Sequence, residues 1–131
     1  MTITMYEFAQ KGMQRVFENE KWMVGIKNWK PENDITGIDR LERHNETDEL
    51  FVLVAGLCTL VYANETDDGF RFGAVKMEQQ KVYNVPAGLW HNTITQKDTK
   101  MILIEDSNTS MVNSNTFYLN EEYIKTIRSL V

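Results

Sequence analysis

A single cysteine, Cys58, is the whole thiol content of the chain, and one thiol cannot build an internal disulfide framework. Long hydrophobic runs are also missing. The longest uncharged stretch, Leu50–Asn64, falls short of the roughly 20 residues a membrane helix needs, and Gly56 interrupts it. The opening MTITMYEFAQKGMQRVF carries Glu7 and no apolar core segment, so no secretory signal is expected. Basic charge is in short supply: 14 Lys and Arg face 19 Asp and Glu, for a net charge of −5. The cations are scattered rather than gathered in a patch, which argues against a nucleic-acid backbone or an anionic membrane as the main partner. These absences lead to the expectation of a cytoplasmic, single-domain protein.

What is present is an ordinary globular composition, 42% hydrophobic and 25% charged over 131 residues. One domain spanning 1–131 is expected, large enough to bury about two thirds of its unfolded surface. Short runs rich in Val, Ile, Phe, Tyr, Trp and Thr recur along it. They are Lys21–Trp29, Gly37–His44, Glu49–Ala55, Leu57–Ala63, Phe70–Met77, Lys81–Val85, Trp90–Gln96 and Met101–Asp106. Turn formers separate them, among them NETDDG at Asn64–Gly69 and Pro86-Ala87-Gly88. Many short strands at this spacing predict an all-β sandwich or barrel. Strands are expected within 1–36, the barrel core at about 37–106, and a loop with a helix over 107–131. Ser107–Thr116 is polar and reads as loop. Asn120 then suits a helix N-cap, with Glu121 and Glu122 in the first turn and Leu119 and Ile124 at staple spacing.

Only two histidines occur, His44 and His91. His44 opens the stretch RHNETDELFVLVAG (Arg43–Gly56), where a histidine and Glu49 precede a Phe, Leu and Val run. Both are costly to bury unless paired or bound. Strand alternation puts Ile38, Arg40, Glu42 and His44 on one face, Glu49, Phe51 and Leu53 on another, and His91, Thr93 and Thr95 on a third. If these faces turn inward, two imidazoles and two carboxylates share the interior, a set suited to a divalent metal. The competing interpretation is that each polar residue sits at a strand end in water.

The same residues make the chain resemble the cupins. His44, Glu49 and Gly56 match the second histidine, glutamate and glycine of that family's first motif, and Pro86, Gly88 and His91 match the Pro-x-Gly-x-x-His of its second. Glu42 stands where the first histidine would be, Gln80 and Thr95 replace a glycine and an asparagine, and Gly37 is one residue out of register. The resemblance implies a double-stranded β-helix (jelly-roll) barrel with a short C-terminal α-helix. It also implies a manganese, iron, nickel or zinc ion held by His44, Glu49, His91 and Glu42, with Glu42 instead a general base if no metal is bound. Arg40, Phe51, Trp90, Thr93 and Thr95 are the expected substrate pocket, with Trp90 either platform or barrel wall and Arg40 either an anion contact or a solvated strand end. Tyr62 and Tyr83 can reach the cavity if they point inward. The implied partners are a small polar metabolite, such as a sugar or carboxylic acid, and a second copy of the chain. The homodimer is expected because Leu50, Val52 and Val54 need cover. Three functions follow: a metal-dependent isomerase, lyase, decarboxylase or dioxygenase; a metal-free epimerase using a histidine base and tyrosine acid; and a non-catalytic ligand-binding module.

Overall fold

The computed structural model describes residues 1–131. Ten strands form two five-stranded antiparallel sheets. The first contains β1 (Gly12–Glu18), β2 (Trp22–Asn28), β9 (Lys100–Asp106), β4 (Glu49–Ala55) and β7 (Val82–Val85), in that spatial order. The second contains β10 (Ser114–Tyr118), β3 (Arg40–His44), β8 (Trp90–Thr95), β5 (Cys58–Thr66) and β6 (Gly69–Lys76). The chain crosses from sheet to sheet at almost every connection, which is the jelly-roll path. A short helix, α1 (Glu121–Ser129), follows.

Alternation along the strands separates two apolar layers. Between the sheets, Met23, Phe51, Leu53, Leu60, Met101 and Leu103 close one part of the barrel, with Cys58 buried among them. On the outside of the second sheet, Ile38, Leu41, Val61, Trp90 and Ile94 pack with Ile127 of α1. The helix begins as its residues dictate: the Asn120 side chain accepts from the Tyr123 amide, and Glu121 and Glu122 occupy the first turn. Tyr123 then sets its ring edge-on to Phe70 and Phe72. Leu130, the C-cap residue, is 38% exposed.

Two expectations require correction. Ser114–Tyr118, taken partly as loop, is the strand β10, paired residue for residue with β3 from Ser114↔His44 to Tyr118↔Arg40. It is an edge strand in which Phe117 is the residue packed on the outer core, so it carries no run of apolar residues to announce it. Ile38 does not share a face with Arg40. The strand begins at Arg40, and Ile38 turns into the outer layer beside Leu41.

The turn from β4 to β5 depends on Gly56, whose φ is +72°. A Cβ there would lie 2.9 Å from the backbone of Asp98 and Thr99, atoms that cannot rotate away. Gly56→Ala is expected to lower stability by roughly 2–3 kcal/mol, read as a reduced urea midpoint at unchanged slope.

Candidate metal centre

Each functional side chain is aimed by strand register. Glu42 of β3 lies opposite His91 of β8, and Glu49 of β4 lies opposite Glu105 of β9. Alternation then carries Glu42 and His44, Glu49 and Phe51, His91 and Thr93, and Leu103 and Glu105 into the space between the sheets. That space is a cavity of about 420 Å³. Of its fifteen lining residues only Met13, Phe51 and Leu103 are apolar, so the barrel interior at this end suits a polar guest.

Ligand atoms of His44, Glu49 and His91 all lie within 4.8 Å of one another. His91 Nε2 is 3.1 Å from Glu49 Oε1, and His44 Nε2 is 3.4 Å from the same oxygen. The other nitrogen of each ring is occupied. His91 Nδ1 lies 3.0 Å from the Leu89 carbonyl oxygen, which can only accept, so Nδ1 carries the proton. His44 Nδ1 lies 2.8 Å from the Ser114 hydroxyl of β10. Both Nε2 atoms therefore face one carboxylate oxygen, an arrangement satisfied by a proton on the ring or by a cation between them.

A second carboxylate, which the sequence reading passed over, completes the cluster. Glu105 is 8% exposed, and its Oε2 lies 3.9 Å from His44 Nε2. Like charges directly opposite on neighbouring strands repel, yet here both members of the Glu49–Glu105 pair are buried. Glu105 Oε2 has no hydrogen-bond partner, and the two other orphaned buried side-chain atoms, Asn33 Oδ1 and Thr93 Oγ1, belong to residues of the same cavity wall. Buried polar groups are rarely left this way without a water, ion or ligand to meet them.

Electrostatics follow from this packing. Burial alone would raise the Glu49 pKa, but hydrogen bonds from His44 and His91 overturn that and hold it at about 2. Burial, reinforced by the negative charge of Glu49, pushes Glu105 up to about 7. The hydrogen bond to Glu49 raises His44, against an opposing burial effect.

The remaining expected site residues divide. Arg40, Phe51 and Thr93 line the cavity. Glu42 lines it too but is exposed and stands outside the converging triad. Arg40 is already engaged by both oxygens of Asp39 and lies over the Tyr118 ring. Trp90 does not reach the cavity. One position from His91, alternation sends it to the opposite face, where it packs in the outer layer, donates to Glu65 and lies under Arg43. Thr95 points inward but two pairs too deep, donating to the Asn33 carbonyl away from the triad. Neither Tyr62 nor Tyr83 lines the cavity; Tyr62 packs its ring over Gly73, and the Tyr83 hydroxyl accepts from the Glu78 amide. Besides Glu105, Lys27 and Asn33 line the cavity without having been anticipated. Lys27 sits in a strand predicted from the sequence, and its inward direction was readable only once the barrel was closed.

No family model matches the sequence, and no curated protein does either. Solved structures do. A cupin-2 domain protein from Shewanella frigidimarina is 17% identical, with a TM-score of 0.52, over 76% of this chain and 84% of that one. A Streptomyces protein, PAC13, solved with uridine, is 11% identical at a TM-score of 0.61 over 92% of this chain and 97% of that one. Hydroquinone 1,2-dioxygenase from Sphingomonas, solved with 4-hydroxybenzoate, is 11% identical at 0.56, over 76% and 68% respectively. At these identities the likeness establishes the fold. The chain has the cupin fold, and its His44–Glu49–His91 cluster can hold a metal ion.

Proposed function

We propose that this cupin-fold chain is a metal-dependent enzyme acting on a small polar metabolite inside the barrel. The cation would be held by His44, Glu49 and His91, with Glu105 rather than Glu42 as the adjoining oxygen donor. The observation that carries this reading is the convergence of three potential ligand atoms within 4.8 Å beside the orphaned carboxylate oxygen of Glu105. Two imidazole nitrogens and two carboxylate oxygens suit manganese, iron(II), nickel or zinc. Such an ion, when bound, would supply Lewis acidity toward a substrate oxygen or activation of dioxygen.

The chain's own groups do the rest. Leu89 and Ser114 orient the two rings through Nδ1. Thr93 and Asn33 offer polar atoms to a guest from the wall, and exposed Glu42 at the rim is placed to exchange a proton with it. The metal-free alternative calls for a tyrosine acid, and neither candidate tyrosine lines the cavity. The neighbours solved with uridine and 4-hydroxybenzoate support a small organic guest.

Metal analysis of freshly purified protein is expected to find about one equivalent of a transition metal, or the same uptake on titration. Less than about a tenth of an equivalent with no uptake would end this reading. Metal-loaded protein, incubated with small sugars and carboxylic acids and followed by NMR, is then expected to consume one of them. Binding without consumption would leave a ligand-binding module.

The expected second copy is part of the proposal. Trp22, Val24, Ile102, Ile104, Leu50 and Val52 form an apolar band on the outer face of the first sheet, Trp22 exposed and the others half-buried, with Tyr6 of the N-terminal segment at one edge. No helix is long and apolar enough to cross a membrane. An apolar band of this kind suits pairing with a second copy across a two-fold axis. Analytical ultracentrifugation at micromolar concentration is expected to show a dimer, and a monomer there would remove this part of the proposal.

A further inference from the structure

Two lysines line the barrel cavity without a partner, Lys27 on a strand and Lys30 in the loop that follows it. Lys27 lies on the inner face of β2, between Met13 of β1 and the fully buried Met101 of β9. Its side chain lines the same cavity as His44, Glu49 and His91, and its ammonium makes no hydrogen bond or ion pair. The other inward cations on strands are all satisfied. Arg15 donates to the Ser107 and Thr109 carbonyls, and Arg40 donates to Asp39. Lys27 is thus the half-buried strand cation that faces the cavity with nothing to meet it, and Lys30 stands nearby. Burial, with a smaller push from Lys30, drives its pKa below the ordinary 10.5, while Glu49, Cys58 and Glu42 act in the opposite direction from a distance.

The geometry points to Lys27 as the anchor for a carboxylate of the guest, which makes the substrate class a small carboxylic acid. This rests on the metal reading only for the guest's second contact, which would lie toward His44, Glu49 and His91. A carboxylate fits better than a phosphate. Lys27 is the free ammonium held on a strand, with Lys30 in the neighbouring loop; the guanidinium of Arg40 is committed to Asp39, and Glu32, Glu42, Glu49 and Glu105 around the same cavity would repel a second negative charge. The cavity of about 420 Å³ takes a compact metabolite of this kind.

The test compares wild type with Lys27→Met and Lys27→Arg. Calorimetric titrations use malonate, succinate and glycolate, their amides, and inorganic phosphate, each on chelator-treated and on zinc-loaded protein. Wild type is expected to bind at least one acid and to bind its amide much more weakly. Lys27→Met should weaken acid binding by about tenfold or more, the worth of one charge-assisted hydrogen bond, and Lys27→Arg should restore part of it. Zinc affinity should be unchanged in both variants. Without ligand, Lys27→Met should melt higher than wild type, because it removes a half-buried unpaired charge and keeps the volume. A lower melting temperature would mean that Lys27 is structural. Equal binding of acid and amide, equal binding by wild type and Lys27→Met, or no acid bound would each overturn the proposal. Phosphate bound more tightly than every acid would overturn the carboxylate assignment. Acid binding that depends on Lys27 in a protein that takes up no zinc would instead overturn the metal reading and leave this one standing.

Discussion

Glu49→Gln is expected to reduce divalent-cation affinity on the order of a hundredfold or more, with loss of any metal-dependent turnover. Glu49 Oε1 is the atom on which both histidines converge, at 3.1 and 3.4 Å. Glutamine keeps the shape and removes the charge that pairs with two imidazoles and a cation. Glu42→Gln should leave affinity nearly unchanged, because Glu42 stands outside the triad. Glu105→Gln should fall between, about tenfold weaker, if its orphaned oxygen completes the donor set. Zinc or manganese titration by calorimetry separates the three. A Glu42 variant as damaged as the Glu49 variant would return Glu42 to the site and remove Glu105 from it. Without metal, Glu49→Gln should also bring the raised pKa of His44 back down toward 6.5, since the hydrogen bond to Glu49 is the largest cause of its elevation. A histidine NMR titration reads that directly.

Metal-free protein is expected to be more stable near pH 5.5 than at pH 8, and a bound cation should reverse the order. Glu49, held at about 2 against an ordinary 4.5, contributes stability above pH 4.5 that disappears only as the pH falls toward 2. Glu105 acts with the opposite sign. Its carboxyl is raised from 4.5 to about 7, so the unfolded chain releases the proton first and folding loses support between those values. Over that whole window the loss is on the order of 3 kcal/mol for a buried group, of which roughly 2 kcal/mol falls above pH 5.5. His44, raised above 6.5, contributes stability below that value, and this too is lost as the pH climbs through its elevated folded pKa. The two losses add, and a melting temperature lower at pH 8 by roughly 5–10 °C is expected. A cation needs His44 neutral and Glu105 ionised, so the stabilisation by added zinc should grow from pH 5.5 to pH 8. Thermal melts at both values, with chelator and with zinc, supply the four temperatures. A metal-free protein that melts higher at pH 8 would contradict the electrostatics assigned to the cluster.

Much of this was legible in the residues. Eight of the strands, the helix and its Asn120 cap follow from alternation, turn chemistry and capping, which act over a few neighbouring residues. The convergence of His44, Glu49 and His91 was accessible because the scarcity of histidine and the PAGLWH turn drew attention to them. Glu105 gave no such signal: in MILIED it looks like the polar end of a strand, and its role comes from standing opposite Glu49 across β4 and β9. Trp90 illustrates the converse. Its neighbour is a site residue, yet one step along a strand reverses the side chain and sends the indole to the outer layer.

By itself, the sequence determined where chain direction changes, which strands have an apolar face, and that a few polar residues had to share an interior, because these depend on local sterics and on the cost of burying charge. Only the tertiary structure decided which glutamate joins the histidines, that Lys27 faces the cavity unpaired, and that Ser114–Tyr118 completes a sheet. Those depend on register between strands far apart in the chain, such as Ser114 on His44, 70 residues away. Interstrand register belongs to the closed barrel, and the spacing of residues along the chain does not encode it.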